Sequence, residues 1–284
     1  MIIANPIYDV VFKRMMENEK VAKFFIGTLL EETILELEVK PHEFTYTNEA
    51  AGIALFRLDF IATIKTEDGG YKKILIEIQK ARNHVDLMRF RNYLAEQYKK
   101  VDIISSKKVI LPITTVYILG FNLVEIDSPC LKVERSYIDL INKAFIKNRS
   151  EFIEKLSHDS YIVQVERITN KYGSKLEKLL SIFEQNNFID ENGIVKEFKH
   201  TIDIEEIKIA TDILHYAGTD SNEKKKIEIE QEAWRSLNAM FEDKETEFLQ
   251  TILEKDKKIE EKDKKIEENE KLIAELMKKL DQKK

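Results

Sequence analysis

The chain has 284 residues, 43% of them hydrophobic, and carries 46 Lys and Arg against 52 Asp and Glu, a formal net charge of −6. That length exceeds one typical domain and can bury a sizeable core, and the charge argues against a surface coated in nonspecific basic groups. Cys130 is the single cysteine, which excludes an intramolecular disulfide and any cysteine-based metal cluster. The first residues lack a basic lead and a small-residue cleavage site, and no run of 18 apolar residues occurs, so a cytoplasmic protein that neither spans nor enters a membrane is expected.

In chain order, residues 6 to 31 read as helical, with Phe12, Met16, Phe24, Phe25, Leu29 and Leu30 on an apolar face and Asn5-Pro6 as a capped start. Two apolar runs follow, LFRLDFIATI and KKILIEIQK, rich in β-branched and aromatic residues and separated by Glu67-Asp68-Gly69-Gly70. Asp-Gly and Gly-Gly are strong turn signals, so the runs predict a β-hairpin. Side chains alternate along a strand, placing Glu77 and Gln79 on one face and Ile74, Ile76 and Ile78 on the other. Asp59 joins the acidic face only if opposed positions sum to an even number. A three-residue loop at 68 to 70 gives that parity, with 67 opposite 71 and Asp59 opposite Gln79, and it sets Phe60, Ala62 and Ile64 against Ile78, Ile76 and Ile74.

A polar helix is expected from about 82 to 105, then a buried strand near 113 to 119. After Asp127-Ser128-Pro129 the pattern turns helical, with Ile138, Ile141, Phe145, Leu156, Leu179, Leu180, Ile182 and Phe183 as expected core. The five histidines show no metal-ligand spacing, and no Gly-rich phosphate loop occurs. Finally, Ile252, Ile259, Ile266, Ile273 and Leu280 recur every seven residues, and EKDKKIE repeats at 254 to 260 and 261 to 267. This heptad pattern predicts a coiled coil that joins copies of the chain, although Lys255, Lys262 and Asn269 at the intervening positions also fit a lone salt-bridged helix. The resulting organisation is 1–125, an α/β core of a mixed sheet flanked by helices; 126–240, a helical region; and 241–284, a coiled-coil segment.

Two carboxylates on neighbouring strands suit a hard divalent cation, which takes oxygen ligands and keeps waters and substrate phosphates. They also suit a plain solvated sheet face. Residues 72 to 108 hold ten basic residues against four acidic ones, so positive charge gathers around the acids, as a phosphate backbone requires. Asp59 with Glu77-x-Gln79 resembles the PD-(D/E)XK nuclease superfamily, in its branch of Rpn-type recombination-promoting nucleases or putative transposases. Further matches are Asp9 with Phe12-Lys13, and Arg89, Tyr93 and Tyr98 at the branch's helical spacing; the likeness covers roughly residues 5 to 120. Leu58 stands where the superfamily has its proline, and Gln79 where most members have lysine.

The resemblance implies a restriction-endonuclease-like core and a Mg²⁺-dependent DNA endonuclease, Mn²⁺ being the other suitable ion. Asp59, Glu77 and the Ile78 carbonyl would be metal ligands, Gln79 would position water, and Asp9 would be a fourth catalytic member. Lys80, Arg82 and Arg89 are candidate DNA contacts. Plainer roles exist: Asp9 can complement a helix dipole, and Arg89 can stack on Tyr93. The alternative function is a catalytically weak nucleic-acid-binding or assembly protein that oligomerises through its coiled coil.

Overall fold

The computed structural model describes residues 1–48, 53–80, 84–169 and 171–236, with 239, 255 and 262; side chains at 40–59, 84–86, 88 and 89 lie outside the description. The chain forms two compact units, Met1–Gln231 and Glu232–Lys284. The expected coiled coil falls in the second and lies outside the described residues.

The first unit begins with β1 (Ile2–Ala4), α1 (Asp9–Met16) and α2 (Glu19–Leu30). The single helix expected over 6 to 31 is therefore two. Asn18 divides them, because its side chain accepts a hydrogen bond from the Val21 amide at 3.2 Å and caps α2. Nor does Asn5-Pro6 cap α1: the Asn5 amide donates instead to Gln185 and to the Gly193 carbonyl. The next strands, β2 (Ile34–Asn48), β3 (Ile53–Thr66) and β4 (Tyr71–Gln79), are followed by α3 (His84–Lys99). Where the expected helix continued to 105, the chain forms the small hairpin β5 (Asp102–Ile104) and β6 (Lys107–Val109). Ser105 and Ser106 turn it with φ of 49° and 66°. The strand expected near 113 to 119 is β7 (Ile113–Leu119).

Beyond residue 126 the expected helical region is corrected. It contains β8 (Cys130–Val133), β9 (Tyr137–Ile138), β10 (Phe145–Ile146), α4 (Glu151–Leu156), β11 (Asp159–Gln164), α5 (Lys175–Leu180), β12 (Val195–Glu197) and α6 (Glu205–Thr219). β11 pairs in parallel with β7 along its whole length, and β8 pairs antiparallel with β11. A boundary at 125 would thus cut the sheet, whose order is β2-β3-β4-β7-β11-β8. The physical reason is that DSYIVQ, too short for a helix period, buries Tyr161 and Val163 on one face of the sheet.

That face carries the main core. Ile74, Ile76 and Ile78 of β4, with Ala62 and Ile64 of β3, pack under α1 and α2, where the Phe12 ring meets Phe25, Phe60 and Phe183 at centroid distances of 5.6, 6.3 and 6.2 Å. On the opposite face Ile61, Leu75 and Ile113 pack with Tyr93 of α3. A central strand covered on both sides explains why β4 carries the continuous apolar run Ile74-Leu75-Ile76 at its middle. Leu179, Leu180, Ile182 and Phe183 are buried as expected, but Ile138, Ile141, Phe145 and Leu156 are exposed, contrary to expectation. Among the described residues no helix is long and apolar enough to cross a membrane.

Candidate active site

The β3–β4 turn sets the register. Asp68 Oδ1 accepts from the Gly70 amide at 3.0 Å, Gly69 takes φ of 81°, and the Thr66 amide donates to the Gly70 carbonyl at 3.0 Å. Lys65 then faces Tyr71, Ala62 faces Ile74 and Phe60 faces Ile76. Opposed positions sum to an even number, as the site requires, but the register is two residues from the expected one. Extended by one pair, this register would set Asp59 opposite Glu77 rather than Gln79, but among the described residues the β3–β4 pairing ends at Phe60 and Ile76. The difference comes from the turn, which spans 66 to 70 with Lys65 and Tyr71 as its last pair. In β3 the Asp59 backbone pairs with His42 on its other side; the Asp59 side chain lies outside the described residues.

Strand alternation puts Lys73, Leu75, Glu77 and Gln79 on the α3 face. Glu77 is 4% exposed and Gln79 9%. Among the described residues the β3–β4 ladder ends at Phe60 and Ile76, whereas β4 continues beside β7 through Gln79 and Leu119. Glu77, Ile78 and Gln79 therefore lie past the last β3 pair. The Lys73 amide donates to Pro112 O and the Gln79 carbonyl accepts from Gly120 N, so odd-numbered backbone groups of β4 point toward β7. The carbonyl of Ile78 points the other way, toward β3.

Neighbouring groups complete the local environment. Tyr117 sits beside Glu77 on β7, and its ring packs on Phe90 at a centroid distance of 4.7 Å. Burial pushes the Tyr117 phenol up to about 12, and the Glu77 charge adds to that shift. Lys73 is buried in an ion pair with Asp102 at 2.8 Å. Sequence reading missed both neighbours, because nothing local marks Tyr117 or the partner of Lys73. Tyr93 packs into the α3-side cluster; its expected stacking on Arg89 involves a side chain outside the described residues. Tyr98 is partly buried against the same cluster and contacts His158 Nδ1 at 2.8 Å through its hydroxyl. Arg82 and the side chains of Arg89 and His84 lie outside the described residues.

Asp9 starts α1, which packs on the opposite sheet face from Glu77 and Gln79. The start of α1 nevertheless meets the carboxyl end of β4. A Cβ at Gly120 would lie 2.8 Å from Ile7 Cδ1 and 3.1 Å from the Lys80 Cα, so only glycine admits this approach. Lys80 Nζ lies 4.1 Å from the centre of the Tyr8 ring and is ion-paired with Glu230. The same carboxylate accepts from the amides of Asp9 at 2.9 Å and Val10 at 3.1 Å. Glu230 thus caps α1 from more than 200 residues away and neutralises Lys80, whose side chain is 13% exposed. Lys80 is consequently spoken for within the chain rather than displayed for a phosphate.

For Mg²⁺, the described donors are hard oxygens, the Glu77 carboxylate and the Ile78 carbonyl; the expected second acid, Asp59, has its side chain outside the described residues. That set fits an ion which uses one or two carboxylates and completes its shell with water and phosphate. Among the described residues no three His, Cys, Asp or Glu side chains gather as a metal site, at Glu77 or elsewhere. A cavity of about 360 Å³ is lined by Lys196, Glu184 and His200 among others. There Lys196 donates to the Glu184 carbonyl, Asn186 donates to the Glu184 carboxylate, and His200 stacks on Tyr172 at 4.5 Å. Its polar groups satisfy one another. Comparison with protein-family models, with curated proteins and with solved structures returns no match to the chain.

Proposed function

We propose that the chain is a Mg²⁺-dependent DNA endonuclease, of the recombination or mobile-element context its resemblance implies, hydrolysing phosphodiesters at the carboxyl end of β4. The observation that supports this most is the placement of Glu77 and Gln79, two buried polar side chains on one face, past the last β3 pair. Parallel β4, β7 and β11 end together there, and open α/β sheets bind ligands at the carboxyl ends of their strands. Asp59, Glu77 and the Ile78 carbonyl are the groups that would hold Mg²⁺ or Mn²⁺. The bound ion would lower the pKa of a water and offset charge building on the phosphate.

The chain's own residues do the rest. Gln79 is neutral at every accessible pH, so its amide orients water by hydrogen bonding and does not remove a proton. The apolar wall of Tyr93, Phe90 and Tyr117 keeps bulk water from the Glu77 side of the sheet and strengthens its electrostatics. Arg82 and Arg89 are the candidate phosphate contacts; Lys80 joins them only if Glu230 lets it go. A supercoiled plasmid with Mg²⁺ is the test. Nicking is expected, and Asp59→Ala and Glu77→Ala should each slow it by at least about 100-fold, the upper end of what even outer-shell losses cost at metal sites. Equal residual cutting by both variants would assign the activity to a contaminant.

A second reading, a catalytically weak nucleic-acid-binding or assembly protein, is favoured by one observation: Lys73 and Lys80, which bracket the site, are both neutralised by the chain's own acids. It predicts salt-sensitive duplex binding by fluorescence anisotropy without Mg²⁺-dependent cutting.

A further inference from the structure

Lysine is seldom buried without a carboxylate beside it, because taking an ammonium group out of water is costly. Other sheltered cations of the chain obey that rule. Lys73, 3% exposed, is paired with Asp102 at 2.8 Å, and Lys80 with Glu230. Arg135, the polar hub of the segment between β8 and β11, holds Asp159 at 2.9 Å and Glu154 at 2.5 Å. Lys196 breaks the rule. It is only 2% exposed, yet its described hydrogen bond goes to the neutral Glu184 carbonyl, and among the described residues it has no ion pair.

Backbone pairing fixes where this side chain starts, since Lys196 faces Ile3 of β1 on one side and bridges to Phe188 on the other. It lines the cavity of about 360 Å³ together with Ser181, Glu184, Asn186, Phe198 and His200. That volume falls near the lower end of the roughly 300–1,000 Å³ of small-molecule sites. A methionine would fill the same space without the cost of burying an amine, so the amine calls for a chemical reason.

The lining narrows the ligand. Glu184, 4% exposed, accepts from Asn186 at 3.0 Å and lies 3.4 Å from His200 Nε2. Its carboxylate repels an anion, and the Lys196 amine deters a cation. Among the described residues no three His, Cys, Asp or Glu side chains gather there for a metal. A small neutral carbonyl compound meets none of these obstacles, and it is the class with which an uncharged amine reacts. Burial lowers the Lys196 amine to about 7, so a large share is uncharged at neutral pH. In that form it can donate one hydrogen to the Glu184 carbonyl and keep its lone pair.

We propose that Lys196 is the nucleophile of a second site, which takes a small aldehyde or ketone and holds it covalently as an imine. The amine nitrogen attacks the carbonyl carbon, and the C=O electron pair moves to oxygen, which takes a proton as nitrogen loses one. The nitrogen lone pair then forms C=N, the hydroxyl leaves with a second proton as water, and nitrogen gives up its remaining proton. The two protons gained by oxygen are the two lost by nitrogen, and no oxidant or reductant is consumed. Glu184 and His200, paired with each other in the same cavity, carry these protons. The site stands apart from the nuclease reading.

Reductive labelling of the full chain tests it, with acetaldehyde and sodium cyanoborohydride at pH 7 and the modified lysines located by peptide mass mapping. Lys196 should be ethylated at least about tenfold faster than the exposed Lys20 and Lys147, because a lysine amine in water is almost wholly protonated at that pH. Lys196→Met, with its fold checked by circular dichroism, should lose the fast phase. Labelling of Lys196 no faster than that of Lys20, or labelling that first requires unfolding in urea, would overturn the proposal. So would a fast phase that survives in Lys196→Met.

Discussion

The sheet face under α1 and the segment between β8 and β11 solve opposite problems with the same side-chain types. Under α1, Phe12, Phe25, Phe60 and Phe183 interlock and exclude water, so the stability of that region comes from burial. Around Arg135 the order comes from charge-assisted hydrogen bonds, and phenylalanine and isoleucine are left outside. The lesson is that apolar content does not by itself locate a core; what decides is which groups the polar side chains bind.

The comparison predicts a graded series of responses. Phe12→Ala should cost the most, about 3–5 kcal/mol in urea unfolding, because three rings lose their neighbour at once. Lys196, a charge placed inside the core region, should come next. Burial lowers its amine to about 7, below the unfolded value of 10.5. The unfolded chain therefore binds the extra proton between those values, and stability falls as pH drops from about 10.5 to about 7, then levels off. Lys196→Met should remove that slope in melts taken across the range. Arg135→Ala should cost about 2 kcal/mol, since hydrogen bonds rather than burial are lost, and should increase amide exchange across β9, β10 and α4. Ile141→Asp should change folding stability by less than about 0.5 kcal/mol. A large loss there would mean that the tip of the β9–β10 hairpin is core after all.

Much of the sheet could be read from sequence because its signals are local. β7 was visible as an apolar run, and the β3–β4 hairpin from its Asp-Gly-Gly turn, although the turn's true span moved the pairing by two residues. The paired faces of β4 followed from alternation alone. What escaped reading was long-range. β11 joins β7 from 45 residues away, so DSYIVQ looked like part of a helical stretch. Ile138, Ile141, Phe145 and Leu156 look like core residues in any local window, and only the Arg135 hub explains why they are not. At the site, the Glu77 and Gln79 face could be derived, whereas Tyr117 and Glu230 could not, because neither carries a local cue.

Glu230 also bears on how the chain is made. The amides of Asp9 and Val10 emerge from the ribosome some 220 residues before the carboxylate that satisfies them. At ~5–20 residues per second, that wait is roughly 10 to 45 s. β1 must likewise wait for β12. Through that interval the nascent chain carries the Phe12 side of α1 without its final partners, a period in which a holdase would matter more than after release. A helix synthesised ahead of most of this sequence is thus among the last to be completed.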